Sequence, residues 1–320
     1  MSREVESAEV LSFLQTHDRF LILTHKSPDG DTLGTAAALT RALLAMQKQV
    51  RIINADAIPA KYQYLFDGIP SLDFEPETIV AVDVADTKLL GDALQPYADR
   101  VQLCIDHHVS NRRYAELLYL RPEDGAAALS LYRIFRENRV PITKEMADDL
   151  YTGLSTDTGC FRYANADAHA YRAAADLISL GADNVRINEI MFETKPYSYY
   201  RLLQETLNGM RMFCGGKIAV FKVSQNMLKR TGATEDQCDA ICAMSRTIEG
   251  VELGVTMKEK KDGRYKFSLR TRDSLDASAL GRLLGGGGHV CAAGCDAGED
   301  EEASLRVLLE AAASELGTAL

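Results

Sequence analysis

Two short apolar runs that each end in aspartate, 78–83 (TIVAVD) and 101–106 (VQLCID), constrain this chain most. They have no alternation of apolar and polar positions, so neither face is meant for water, as in parallel strands covered by helices on both sides. Two further segments, 19–24 (RFLILT) and 50–54, read the same way. Between the strands lie helical segments: 31–49, Ala-rich with Asp at its start, then 126–138, 143–154, 167–180 and 185–192. Strands alternating with helices make an α/β domain with a mostly parallel sheet flanked by helices.

Beyond residue 192 the character changes. Residues 193–208 read as a connector with a helical stretch. From 209 to 320, strand-like runs at 217–223, 251–258 and 265–270 mix with helices at 235–244 and 277–284. The acidic run 299–302 opens a last helix, where the dipole favours it. The expectation is two domains, 1–192 and 209–320, the second a smaller α/β unit; 320 residues is long for one core.

The bulk numbers exclude several classes. A hydrophobic fraction of 46% and a charged fraction of 26% are those of an ordinary globular protein. No apolar run approaches the ~20 residues that cross a bilayer, and the opening MSREVESAEV is no signal peptide. A cytoplasmic protein is expected, with no membrane partner. The seven cysteines are odd in number and scattered, so small buried thiols are expected rather than disulfides. A net charge of −10 argues against a grip on long duplex nucleic acid, though not against small nucleotides.

Chemistry concentrates in four segments: 24–31 (THKSPDGD), 81–86 (AVDVAD), 105–108 (IDHH) and 155–159 (STDTG). All four are placed at strand ends, where an open parallel sheet binds ligands. Each has an ordinary structural explanation taken alone. Asp31 could cap a helix, Asp83 could turn a chain, and Asp157 could cap a helix or turn. Together, His25, Asp29, Asp31, Asp83, His107 and Asp157 offer two imidazoles and four carboxylates, a mixture suited to Mn²⁺ or a similar divalent ion. A pair of ions fits, because four clustered carboxylates without cations would repel one another. In the second domain the run Gly285–Gly288 allows close backbone approach and an anion nest.

Taken in order, HKSPDGDTLG, VDVAD, DHH followed by SN, and STDTG resemble the four motifs of the DHH phosphoesterases. Residues 283–294 (LLGGGGHVCAAG), with 267–270 (FSLR) before them, resemble the signature of the associated DHHA1 domain. The resemblance covers nearly the whole chain. It implies a DHH domain and a smaller DHHA1 domain with a cleft between them. It implies one metal held by His25, Asp29 and Asp83, and a second held by Asp31, Asp83, His107 and Asp157. The catalytic set it implies is Asp83 as the bridge, His108 against the substrate phosphate and Asp106 orienting the imidazoles. Arg270, Gly286, Gly287, Gly288 and His289 would grip the far end of the substrate.

Two places depart from the family pattern. Cys160 stands where a larger residue is frequent, and 125–128 (GAAA) where small hydroxyl residues are. Neither is expected to touch the proposed ligands. The implied activity is hydrolysis of short single-stranded RNA and of 3′-phosphoadenosine 5′-phosphate (pAp). The alternatives are a phosphodiesterase of cyclic di-AMP or linear pApA, and a catalytically silent nucleotide-binding module. The sequence leaves a homodimer open.

Overall fold

A computed structural model describes residues 2–272, 274–298 and 300–319; the side chains of Asp236, Asp239 and His289 lie outside what it describes. The chain divides into two compact units, Met1–Thr194 and Lys195–Leu320.

The first unit is built on strands β1 (Arg3–Glu4), β2 (Phe20–Leu23), β3 (Val50–Ile53), β4 (Thr78–Val82), β5 (Leu103–Asp106) and β6 (Leu117–Leu120). They form one sheet in the order β1-β6-β5-β4-β2-β3, and every pairing is parallel. Side chains along each strand alternate between two apolar layers. Phe20, Ile22, Val80, Val82, Leu103 and Ile105 enter one core, and Leu21, Leu23, Ile79, Ala81 and Cys104 enter the other. That two-sided burial is why these strands are apolar without alternation.

Helices α1 (Ser7–Thr16), α2 (Gly30–Ala45), α3 (Ala127–Glu137), α4 (Lys144–Asp157), α5 (Ala168–Ser179) and α6 (Asn184–Asn188) complete the unit; a π-turn at Glu189–Glu193 extends the last. Two glycines let α2 cross α4 closely. A Cβ on Gly34 would lie 2.3 Å from the carbonyl oxygen of Asp149, and one on Gly30 would lie 2.3 Å from the Thr156 hydroxyl. The chain leaves β2 through α2 to the edge strand β3, then passes back to β4 on the other side of β2. Strand order therefore reverses between β2 and β4, and the carboxyl ends of these strands frame the crevice where ligands settle in such sheets.

One expectation about placement is corrected here. The segment 155–159 does not follow a strand: α4 continues into it and ends at Asp157.

The second unit begins with α7 (Tyr197–Asn208), whose Tyr199 and Leu202 pack with Phe221 and Val223. Its sheet comprises β7 (Arg211–Phe213), β8 (Ile218–Val223), β9 (Leu253–Glu259), β10 (Tyr265–Thr271), β11 (Gly287–His289) and β12 (Ala292–Asp296), in the order β11-β12-β10-β9-β8-β7. Only the β8–β9 pairing is parallel among those described. Helices α8 (Gln225–Thr231), α9 (Cys238–Met244), α10 (Ala277–Arg282) and α11 (Glu301–Glu315) accompany it. Asp300 caps α11 through the amides of Glu302 and Ala303; Glu299 lies outside the described residues. No described helix is long and apolar enough to cross a membrane.

Candidate metal centre

His25, Asp83, Asp106, His107 and His108 lie at or within two residues of the carboxyl ends of β2, β4 and β5. Asp29 and Asp31 stand at the start of α2, and Asp157 at the end of α4. The structure brings all of them together. His25 Nε2 lies 3.6 Å from Asp29 Oδ1 and 3.5 Å from Asp83 Oδ2. His107 Nε2 lies 3.8 Å from Asp31 Oδ2, 3.6 Å from Asp83 Oδ1 and 3.7 Å from Asp157 Oδ2. These separations are too long for good hydrogen bonds. They fit donor atoms arranged around a cation.

Asp83 faces both groups, one oxygen toward each imidazole. It is 3% exposed, its backbone is left-handed at φ 59°, and Oδ1 is buried without a hydrogen-bond partner among the described residues. A buried, unpartnered carboxylate oxygen is costly, by ~1–3 kcal/mol or more for a charged group. A divalent ion would satisfy it. The remaining donors are imidazole nitrogens and carboxylate oxygens with no thiolate, which also fits a Mn²⁺-like ion.

Main-chain contacts set the tautomers. His25 Nδ1 donates to the carbonyl of Lys26 at 2.8 Å, and His107 Nδ1 to the carbonyl of Asp124 at 3.0 Å. Each Nε2 is thereby left with its lone pair toward the carboxylates, available to a cation. The carboxylates are aimed by amides. Asp29, not Asp31, is the N-cap of α2; its Oδ1 accepts from Asp31 N at 3.0 Å and Thr32 N at 3.2 Å. Asp31, fully buried, accepts from Ala127 N at 2.6 Å and Ala128 N at 2.9 Å, the first amides of α3. The segment 125–128 was expected to stay clear of the ligands; its main chain instead grips one of them.

Asp106 differs from the others. It is fully buried, and Oδ1 accepts from the His107 amide at 2.8 Å and His108 Nδ1 at 2.8 Å, while Oδ2 accepts from Asn111 Nδ2 at 2.6 Å. Burial works against its charge, but these donors and the His108 imidazole outweigh it and hold the carboxyl below its ordinary range. It orients His108 through Nδ1.

Without cations, protons fill the centre. Burial opposes the imidazolium of His25, yet Asp29 and Asp83 carry its pKa up to about 11. His107 rises to about 10 against burial, through Asp83 and Asp31. Burial and the neighbouring Asp83 push Asp31 well up, and burial pushes Asp157 to about 6 despite the opposing His107. These are the marks of a site built for positive charge.

In the second unit, Arg270 on β10 lies opposite Ala292 on β12, which lies opposite His289 on β11. The run expected as an open nest is largely spent within the fold. The amides of Gly285 and Gly286 bond the carbonyls of Arg282 and Gly281, at 3.1 and 2.9 Å, and close α10. A Cβ on Gly286 would lie 2.2 Å from Gly294 O, and one on Gly288 2.5 Å from Ala292 O. A Cβ on Gly287 would meet nothing within 4 Å, so packing does not require glycine there. The His289 side chain lies outside the described residues.

An all-parallel sheet that gathers His and Asp from its strand ends around a shared carboxylate, with the glycine-bearing second unit, defines a DHH-type phosphoesterase. The chain belongs to the DHH family: residues 19–154 match the DHH family, N-terminal domain, and residues 215–317 match the DHHA1 domain. It is 32% identical to a bifunctional oligoribonuclease and PAP phosphatase, NrnA, of Thermus thermophilus, over 97% of this chain and 93% of that relative. A probable manganese-dependent inorganic pyrophosphatase of Exiguobacterium sp. is 25% identical over 50% of this chain and 54% of its own. The crystal structure of an exopolyphosphatase-related protein from Bacteroides fragilis shares the fold, with a TM-score of 0.87 and 22% identity over 97% of each chain.

Proposed function

We propose that the protein hydrolyses phosphate esters in short oligoribonucleotides and pAp, using two divalent cations, Mn²⁺ foremost. The observation that carries this is the buried Asp83, set between two imidazole-bearing clusters with one oxygen toward each and Oδ1 without a hydrogen-bond partner among the described residues. The substrate class is supported by the likeness to the NrnA relative, which extends over 97% of this chain.

His25, Asp29 and Asp83 would hold one cation; Asp83, Asp31, His107 and Asp157 would hold the other. When bound, the pair supplies Lewis-acid activation of water and neutralises charge on the phosphoryl oxygens. The chain's own residues do the rest. Asp83 spans the two clusters and fixes their spacing. His108, with Nδ1 tied to Asp106, presents Nε2 to donate a proton or hydrogen bond where negative charge develops. Arg270 grips a terminal phosphate through charge-assisted bonds, with Gly287 leaving room for close approach.

A panel of purified substrates with Mn²⁺ tests the reading: di- to pentaribonucleotides, pAp, pApA and cyclic di-AMP. The highest kcat/KM should fall on the short RNAs or pAp. Asp83→Ala should abolish turnover of every substrate while keeping the wild-type circular dichroism spectrum. Full activity in that variant, or no turnover by metal-loaded wild type, refutes the proposal.

A further inference from the structure

One short turn contacts two members of the Asp31–His107–Asp157 cluster and is bridged to the third by Asn165, without contributing a ligand itself. The carbonyl of Asp124 accepts from His107 Nδ1 at 3.0 Å. Three and four residues on, the amides of Ala127 and Ala128 donate to the two oxygens of Asp31, at 2.6 and 2.9 Å. Asn165 Nδ2 donates to the carbonyl of Gly125 at 2.9 Å and to that of Asp157 at 3.2 Å. His107, Asp31 and Asp157 thus come from the end of β5, from α2 and from α4, yet all three are referenced to residues 124–128, Asp157 through Asn165.

The turn itself is anchored by the Asp124 side chain. This carboxylate, 3% exposed, accepts from Ser130 Oγ at 2.9 Å and from Arg133 through Nε at 3.4 Å and through Nη2. Its amide donates to the carbonyl of Arg121 at 3.0 Å and closes the turn. Ser130 and Arg133 both lie on α3, so the pairs lock the turn to the helix whose first amides hold Asp31. On the other side, a Cβ on Gly125 would lie 2.4 Å from the Asn165 carbonyl oxygen. Glycine there is what lets Asn165 come close enough to bond both main-chain carbonyls.

We infer that Asp124 and Asn165 are positioning residues that set the spacing of the Asp31–His107–Asp157 cluster; the inference rests on that cluster being a cation site. Asp124 acts through its own carbonyl and through α3, and Asn165 by tying the turn to the end of α4. Neither touches substrate. Outer partners that orient metal-ligating imidazoles and carboxylates typically change metal affinity by ~10- to 100-fold when removed.

The test uses the full chain stripped with chelator, titrated with Mn²⁺ by isothermal calorimetry and followed by electron paramagnetic resonance. Asn165→Ala removes an exposed side chain, so folding is not at stake. Asp124→Asn keeps an acceptor for Ser130 but cancels the pairing with Arg133. In both variants one of the two Mn²⁺ sites should weaken ~10- to 100-fold, with the other within about twofold. Wild-type affinity at both sites in Asn165→Ala overturns the inference alone, even if the stripped variant melts earlier, since that is what a merely structural clip would do. No Mn²⁺ uptake by the wild type overturns it together with the functional reading. If Asp124→Asn does not fold, the Asn165→Ala titration decides by itself.

Discussion

Gly153 faces the centre from the interior of α4, and replacing it with alanine sets two effects against each other. The substitution gains helix propensity, about 1 kcal/mol. A Cβ there, however, would lie 2.6 Å from Ala128 Cβ and 2.8 Å from Asp31 Oδ1. Carbon atoms in contact sit ~3.5–4.0 Å apart, so the intrusion is about 1 Å. Overpacking of this kind costs ~1–3 kcal/mol, which leaves a net loss of ~0–2 kcal/mol. At ~2–4 °C per kcal/mol for a domain of this size, Tm should fall by no more than ~8 °C. The damage to chemistry should be larger. Asp31 cannot retreat, because the amides of Ala127 and Ala128 hold both its oxygens. The strain passes to α4, which carries Asp157 at its end. A misplacement of ~1 Å costs on the order of 100-fold in rate. Calorimetry paired with kcat/KM on a short oligoribonucleotide separates the two effects. A variant that keeps kcat/KM within twofold of wild type, whatever its Tm, would show that the α4 crossing does not set the geometry of the site.

Three more outcomes follow from the same contacts. Asp106→Ala removes the acceptor that orients His108, so kcat should fall at least ~10-fold with two Mn²⁺ still bound; loss of a metal instead would make Asp106 a ligand. Arg270→Ala and Gly287→Ala should raise KM with kcat nearly unchanged, and a Gly287→Ala variant with wild-type KM would remove the strand from the proposed substrate grip. The stripped chain should lose stability as pH rises. His25 and His107 are raised from 6.5 to about 11 and about 10, so their contribution is complete below pH 6.5 and is lost on the way to those values. The raised carboxyl of Asp157, at about 6, has finished titrating by pH 7 and does not enter that window. Tm of the chelated protein should therefore decline from pH 7 to 10 more steeply than that of the Mn²⁺-loaded protein, in which cations replace the protons; parallel profiles would contradict this.

The convergence of these His and Asp side chains was legible because strands buried on both faces are unmistakable in sequence and polar residues directly after them have few structural uses. Asp157 was legible as a residue but not by its element. Ser155 and Thr156 interrupt the apolar pattern of α4, yet their hydroxyls bond Asn188 and the α4 carbonyl of Thr152, and the helix runs on. Strand β6 (LLYL) is too short and too plainly apolar to be told from part of a helix. β11 defied propensity altogether: glycines make poor strands, but here they let two strands approach where side chains could not fit. The amides of Ala127 and Ala128 left no trace, since a main-chain donor is carried equally by any side chain. Asn165 left none either, being one exposed polar residue in a loop.

The division between what the fold satisfies and what it leaves open explains how so acidic a centre can form. Burying carboxylates side by side is prohibitive unless something neutralises them. Main-chain amides do part of this: Asp29 takes two at the start of α2, Asp31 takes two at the start of α3, and Asp106 takes those of His107 and His108. The helix dipoles at the first two places act in the same sense. Asp83 receives none of this help at Oδ1, although it is buried between the clusters. An amide could have been supplied there as readily as elsewhere, and it would have stabilised the apo protein by removing a buried unpaired oxygen. It would also have occupied the oxygen that Asp83 turns toward His107. The left-handed backbone at Asp83 points the same way, since a non-glycine residue holds that conformation only where its surroundings impose it. Strain and an open acceptor coincide at the residue the two proposed sites have in common, which is where a fold selected for stability alone would have had least reason to keep either.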